Sequence, residues 1–266
     1  MIDSHSHIYT KPYQSDRVEV IERAKKAGIT QLLQVGCNLA DSILALNLAH
    51  ETRGIYASVG VHPHDADTWN EEVETKMREL LEDPKVIAYG EIGLDYYYDN
   101  SPREIQRRAF EQQLDFALHH PRSLPIVIHT REAEPDTLEI LGKNAIESGV
   151  HIHCYTGTIE TAEKLLEMDF YLGFTGVITF KSAEELRKVV EITPMDHLLI
   201  ETDSPYLTPM PFRGKRNEPA RVYHVAEKIA EVKQIPLNEV IQITSDNFKN
   251  LYGTPGFCWE ELQDIS

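Results

Sequence analysis

The chain has 266 residues, with 26 lysines and arginines against 43 aspartates and glutamates, a formal net charge of −17. Its 41% hydrophobic and 26% charged content is that of a globular fold with one large core. The acidity excludes a protein that coats nucleic acid or lies on an anionic membrane, and no apolar run reaches the roughly 18 residues that a spanning helix needs. The N-terminal MIDSHSHIYT lacks the basic and apolar regions of a signal peptide. Cys37, Cys154 and Cys258 are odd in number, far apart and without CxxC spacing, and read as reduced, mostly buried thiols. The expectation is an acidic, monomeric, cytoplasmic protein.

Short apolar runs alternate with amphipathic stretches along the whole chain. Strands are predicted at 1–5, 31–37, 55–61, 86–92, 125–129, 150–154, 170–175 and 198–203, several of them runs rich in Val and Ile that suit parallel strands covered by helices. A helix is expected over 16–27, with Val18, Val20, Ile21 and Ala24 on one stripe and Gly28 at its C-terminal end. Another is expected over 102–119, with Ala109, Phe110, Leu114 and Ala117 as its apolar positions, and further helices near 218–232 and 236–250. Eight strand–helix units without a break predict a TIM-type (β/α)8 barrel, an α/β fold with extra C-terminal helices, as one domain over 1–266. An open doubly wound sheet would carry a glycine-rich phosphate loop after its first strand, where this chain reads DSHSHIYTK.

In a barrel the functional side chains stand at the C-terminal ends of the strands. His5 and His7 end the first predicted strand, Glu91 the fourth, His129 the fifth, His153 the sixth and Asp203 the eighth. Alternate residues of a strand share a face, so His5 and His7 can grip one ion from one side. Glu91 interrupts a core strand between Gly90 and Gly93, where burying a charge without a cation or partner is costly; an arginine salt bridge is the structural alternative. His129 shares parity with Val127 and faces the interior. His151 lies a layer deeper than His153 and reads as a core histidine bonded to a backbone carbonyl. Asp3 and Glu201 are candidate acceptors that orient imidazoles. Four histidines and two carboxylates on one rim fit two divalent ions with a bridging carboxylate, Zn²⁺, Mn²⁺ or Fe²⁺ suiting imidazole better than Mg²⁺, whose shell substrate oxygens and water can complete.

DSHSH, GEIGLDYY, PIVIHTREA, HCYTG and ETDSPYLTP, in this order and with VGVHPHDA and RGKRNEP, resemble the TatD family of metal-dependent deoxyribonucleases in the amidohydrolase superfamily. The resemblance covers essentially the whole chain. It implies 3′-to-5′ exonuclease-like hydrolysis of DNA phosphodiesters, with His5, His7, Glu91, His129, His153 and Asp203 as metal ligands, Glu91 bridging. Ser6 stands where many relatives have Cys, and HCYTG replaces HCFSG; neither change removes a ligand. Branches that bridge their metals with a carboxylated lysine would need lysine at position 91, and Lys85 is at the wrong end of that strand.

In the expected mechanism the metals activate a water, Asp203 orients it and moves its proton, and the metals offset charge on the phosphate. His62, Arg131 and the basic stretch Arg213, Lys215 and Arg216 are candidates for holding the phosphate of a DNA end or short single strand. Arg131 could equally pair with a buried acid, and Tyr96, Tyr97 and Tyr98 could stack a base or simply pack. A hydrolase of a small ester or amide, or of misacylated tRNA, would use the same metals. A purely structural metal would not need so open a rim.

Overall fold

A computed structural model describes residues 1–253. Its strands are β1 (Ile2–Ser6), β2 (Gln31–Val35), β3 (Ile55–Val59), β4 (Val86–Asp95), β5 (Ile126–Arg131), β6 (Val150–Ile152), β7 (Tyr171–Phe174) and β8 (Leu198–Ile200). All neighbours pair in parallel in the order β1 to β8. A bridge between Ser6 and Ser204 brings the ends together, supported by His7 N–H to Ser204 O at 2.8 Å and Asp203 N–H to His5 O at 2.9 Å. The helices between the strands are α1 (Arg17–Lys26), α2 (Leu39–Glu51), α3 (Glu71–Leu81), α4 (Arg103–Leu118), α5 (Glu134–Gly142), α6 (Ile159–Glu167) and α7 (Glu184–Ile192). After β8 come α8 (Val222–Lys233) and α9 (Leu237–Tyr252), the expected C-terminal helices. This is the TIM-type (β/α)8 barrel. Among the described residues no helix is long and apolar enough to cross a membrane.

The larger hydrophobic cluster lies between strands and helices. A smaller one joins Ile2, Leu33, Val35, Ile87, Val127 and Leu199 to Phe248 and Tyr252 of α9, which thereby closes the end where the strands begin. The opposite end is left for the polar residues. There β4 is longer than its apolar run suggests: it continues through Gly93 to Asp95, and all ten of its residues are buried. Gly90 (φ 134°) and Gly93 (φ 141°) make this possible. A Cβ at Gly93 would stand 2.0 Å from His129 O, and one at Gly90 would stand 2.4 Å from Val127 O, so a side chain at either would push β4 off β5.

Two expectations need correction. Val18 is 71% exposed while Val20, Ile21 and Ala24 are buried, because position 18 falls beyond the edge of the stripe those three define on a helix. Cys37 and Cys154 are unpaired but only half-buried; Cys258 lies outside the described residues.

Two buried glutamines of α4 fix the loops that carry the rim. Gln113 accepts from Val61 N–H at 2.8 Å and donates to Val61 O at 2.9 Å; Gln106 does the same for Asp95, at 2.8 and 3.0 Å. A leucine at position 113 keeps the bulk but leaves both polar groups of Val61 unpaired. Gln113→Leu should therefore lower stability by about 2–4 kcal/mol in urea unfolding, whereas Glu111→Leu on the exposed face of α4 should change it by about 0.5 kcal/mol at most.

Candidate metal centre

The barrel brings all six predicted ligands together. His5 Nε2 lies 3.1 Å from His7 Nε2 and 3.4 Å from Glu91 Oε2, and Asp203 Oδ1 is 3.3 Å from His7 Nε2. On the other side of Glu91, Oε1 lies 2.8 Å from His129 Nδ1 and 3.8 Å from His153 Nε2. Glu91 is 2% exposed and belongs to several overlapping groups of donors, with His5 and His153, with His7 and Cys37, and with His62 and His129, next to a further group of His5, His7 and Asp203. Asp203 sits just past β8 with φ 52°, a left-handed backbone that aims its carboxylate across the rim at β1.

Polar contacts on the outer side of His7, His129 and His153 decide what those rings turn inward, while the buried Nδ1 of His5 has no partner among the described residues. His7 donates from Nδ1 to Val35 O at 2.7 Å, which leaves a lone pair on Nε2. His153 places Nδ1 2.9 Å from Glu201 Oε1 and turns Nε2 to Glu91 and Asp203. His129 places Nε2 3.2 Å from Asp95 Oδ2 and Nδ1 on Glu91. Lone pairs and carboxylate oxygens thus converge on a buried space and repel one another unless a cation lies between them. A proton can serve in its place: burial disfavours the charged form of His129, but Asp95 and Glu91 outweigh it and raise the ring to about 9. His7 is raised against burial by Cys37 and Asp203 and His153 by Glu201 and Glu91, and the histidines around Glu91 outweigh its burial and hold its carboxyl well below the usual range. The cluster is able to hold divalent metal.

His62 differs from these rings. Its Nδ1 accepts from His64 N–H at 3.0 Å, so the proton of the neutral ring is on Nε2, 3.6 Å from Glu91 Oε1. Burial lowers its pKa well below the ordinary value, keeping it neutral. His62 therefore presents a donor to the cluster, suited to an oxygen rather than to a metal.

The outer partners only partly follow expectation. Glu201 orients imidazoles as expected, spanning His153 and His151 and accepting from Cys154 N–H at 2.5 Å. His151 is a layer deeper, but its partners are Glu201 and the Tyr252 hydroxyl at 2.8 Å, not a backbone carbonyl. Asp3 does not orient an imidazole: the irregular register of β1 turns it to the backbone and hydroxyl of Thr202, at 2.8 and 2.6 Å. Asp95 was missed. Its Oδ2 holds His129 and His64 at 3.2 and 3.0 Å while Oδ1 accepts from Tyr97 and Tyr98 N–H. The signal was present: Glu91, Gly93 and Asp95 alternate on one strand, but the predicted strand stopped at 92.

The basic candidates separate. Arg216 is engaged in a two-pronged ion pair with Asp16 at 2.6 and 2.8 Å and stacks on Tyr13, which accounts for its charge locally. Arg213 is exposed over Phe180, and Lys215 over Phe212. No hydrogen bond or ion pair joins Arg213, Lys215 or Arg216 to the cluster among the described residues. Arg131, in the same strand as His129, rests on Tyr97 and Tyr98 instead of a buried acid.

Comparison with known proteins follows the same lines. The model of the TatD-related DNase family matches residues 2–253. An uncharacterized metal-dependent hydrolase of Bacillus subtilis strain 168, YabD, is 44% identical over 253 residues, covering 95% of this chain and 98% of its own. The 3′-5′ ssDNA/RNA exonuclease TatD of Cronobacter turicensis is 38% identical over 258 residues, covering 95% and 97%. Among solved structures, the TatD homologue YjjV of Escherichia coli K12 matches with a TM-score of 0.90 at 27% identity, over 96% of this chain and 98% of that one.

A cation taken up at His129 Nδ1 must displace the proton held there below about pH 9. Affinity for Mn²⁺ should therefore tighten as pH rises from 6 and level off near 9, with proton release visible by calorimetry in buffers of different ionisation heat. Affinity that is flat across this range would remove His129 from the centre.

Proposed function

This chain belongs to the TatD-related DNase family, and on that premise we propose that it hydrolyses DNA phosphodiesters from a free end, 3′ to 5′. Two divalent cations would be held by His5, His7, Glu91, His129, His153 and Asp203. The observation that carries this reading is the position of Glu91, which turns Oε2 to His5 and Oε1 to His129. The imidazole-rich set suits Zn²⁺ or Mn²⁺; Mg²⁺ would draw on water and substrate oxygens to complete its shell. When bound, such cations lower the pKa of water and offset charge on the reacting phosphate.

The chain's own residues have distinct tasks. Asp203, 14% exposed where Glu91 is 3%, is the carboxylate that reaches the mouth; it orients the attacking water and moves its proton. His62 donates from Nε2 to a phosphate oxygen. Arg131 supplies positive charge beside His129. The outer bonds from Val35 O, Asp95 and Glu201 hold the three rings so that little reorganisation is needed when substrate arrives. Free thiols at Cys37 and Cys154 support a reducing, cytoplasmic setting.

The reading is tested with single-stranded DNA labelled at either end, using protein stripped of metal and re-supplied with Mg²⁺, Mn²⁺ or Zn²⁺. Stepwise shortening from the 3′ end is expected. Glu91→Gln should stay folded by circular dichroism, lose metal, and fall by more than the roughly 100-fold that loss of an outer partner costs. No cleavage with any metal, while an ester, amide or aminoacyl-tRNA is turned over, would sink the nuclease assignment.

A further inference from the structure

Arg131, like Arg213, rests on aromatic rings without a carboxylate partner. Arg23, Arg78, Arg103, Arg107 and Arg216 each pair with a carboxylate. The Arg131 guanidinium makes no hydrogen bond or ion pair with any described residue. Its guanidinium carbon lies 4.1 Å from the ring centre of Tyr97 and 4.8 Å from that of Tyr98, in the corner between two rings inclined at 88°. Aromatic faces hold a guanidinium by its plane and leave its N–H edge free. The free edge belongs to a residue two positions beyond His129 on β5.

The rings are fixed to the metal centre and open to solvent. Asp95 Oδ1 accepts from Tyr97 N–H at 3.0 Å and Tyr98 N–H at 2.8 Å while its Oδ2 holds His129 and His64, so one carboxylate sets both the histidines and the tyrosine loop. The Tyr98 ring stands 5.3 Å from that of His64, which stands 4.4 Å from that of His62. An unbroken series of rings thus leads from the cluster to Arg131. Tyr97 and Tyr98 are 53% and 54% exposed. Tyr96 does not belong to the set, since its hydroxyl donates to Asp136 at 2.5 Å and Arg103 covers its ring.

We propose that Arg131, Tyr97 and Tyr98 form a nucleotide subsite beside the metal centre, with Arg131 on a phosphate next to the scissile one and an open tyrosine face stacked on an unpaired base. The subsite rests on the nuclease reading and determines which strands that nuclease accepts. A base inside a duplex has both faces covered by its neighbours, whereas an unpaired one can leave the stack and lie on a tyrosine. Every base has such a face, so the subsite selects single-stranded ends without selecting sequence.

The test uses the full chain with Mn²⁺ and single-stranded oligonucleotides carrying one abasic residue at each of the last three positions in turn. In the unmodified protein one position should lower kcat/KM by roughly 5- to 150-fold, the range of one lost base–aromatic stack. In Tyr97→Leu/Tyr98→Leu intact DNA should fall by a similar factor and the abasic penalty should vanish. Arg131→Gln should raise KM and reduce the slope of log KM against log salt by about 0.7, the share of one single-strand phosphate. An abasic penalty that persists in the double variant, or a salt slope unchanged in Arg131→Gln, would overturn the subsite. Failure of the unmodified protein to cleave any oligonucleotide would instead overturn the nuclease reading beneath it.

Discussion

Glu91 carries a carboxylate into the barrel interior at 2% exposure, where an isolated charge is several kcal/mol less stable than in water. Everything around it answers that cost. Histidines from β1 and β5 and from just past β6 turn a nitrogen toward it, and His129 and His153 have a carboxylate on the far side of the ring. The holders are themselves held: Glu201 by Cys154 N–H, Asp95 by two tyrosine amides, and Asp95's own backbone by Gln106. Glycines at 90 and 93 let β4 approach β5 closely enough for Glu91 and His129 to meet at 2.8 Å. Removing the carboxylate would leave this machinery with nothing to enclose.

The two ends of the barrel divide stability from chemistry. At the end where the strands begin, apolar side chains and α9 fill the interior. At the other end the same interior holds histidines and carboxylates whose mutual repulsion is relieved only by a proton or a metal. His151 and Glu201 lie between the two, linking the Tyr252 hydroxyl of α9 to His153. The polar cluster therefore sits on a rigid floor, which suits a site that must hold several donors within a fraction of an ångström of fixed positions.

The fold and the rim were legible because a parallel strand buried on both faces leaves few uses for a polar residue, so His129 or Glu91 after an apolar run stands out. Less legible was anything set by a partner distant in sequence. Asp95 lay in view but beyond the predicted end of β4, since a strand carrying two glycines and a glutamate does not look apolar. Gln106 and Gln113 share the buried face of α4 with Phe110 and Ala117, yet what they bond is decided by loops 52 residues away in one case. Asp3 followed the expected parity only up to the irregularity in β1. Arg216 looked like an anion site because Asp16, 200 positions earlier, is adjacent only after folding. His62 turns its Nε2 toward the cluster with a tautomer fixed by the His64 N–H, a contact that exists only in three dimensions.

The charge of −17 takes on a different meaning beside these particulars. Grip on long duplexes uses many lysine and arginine contacts to phosphate, each strengthened by release of counterions. Here several arginines are engaged by neighbouring carboxylates, and the general field repels a polyanion. Next to the cluster, positive charge comes from the cations it can hold and from Arg131, which rests on two aromatic rings instead of an acid. A strand end that threads into this spot gains attraction only over its last nucleotides, while the rest of the strand is pushed away. Such a surface favours short encounters with ends over travel along a chain. On the proposed reading the balance is also steep: one phosphate contact and one stacked base would be a large share of what holds a strand end, so the few residues at the rim would set its selectivity.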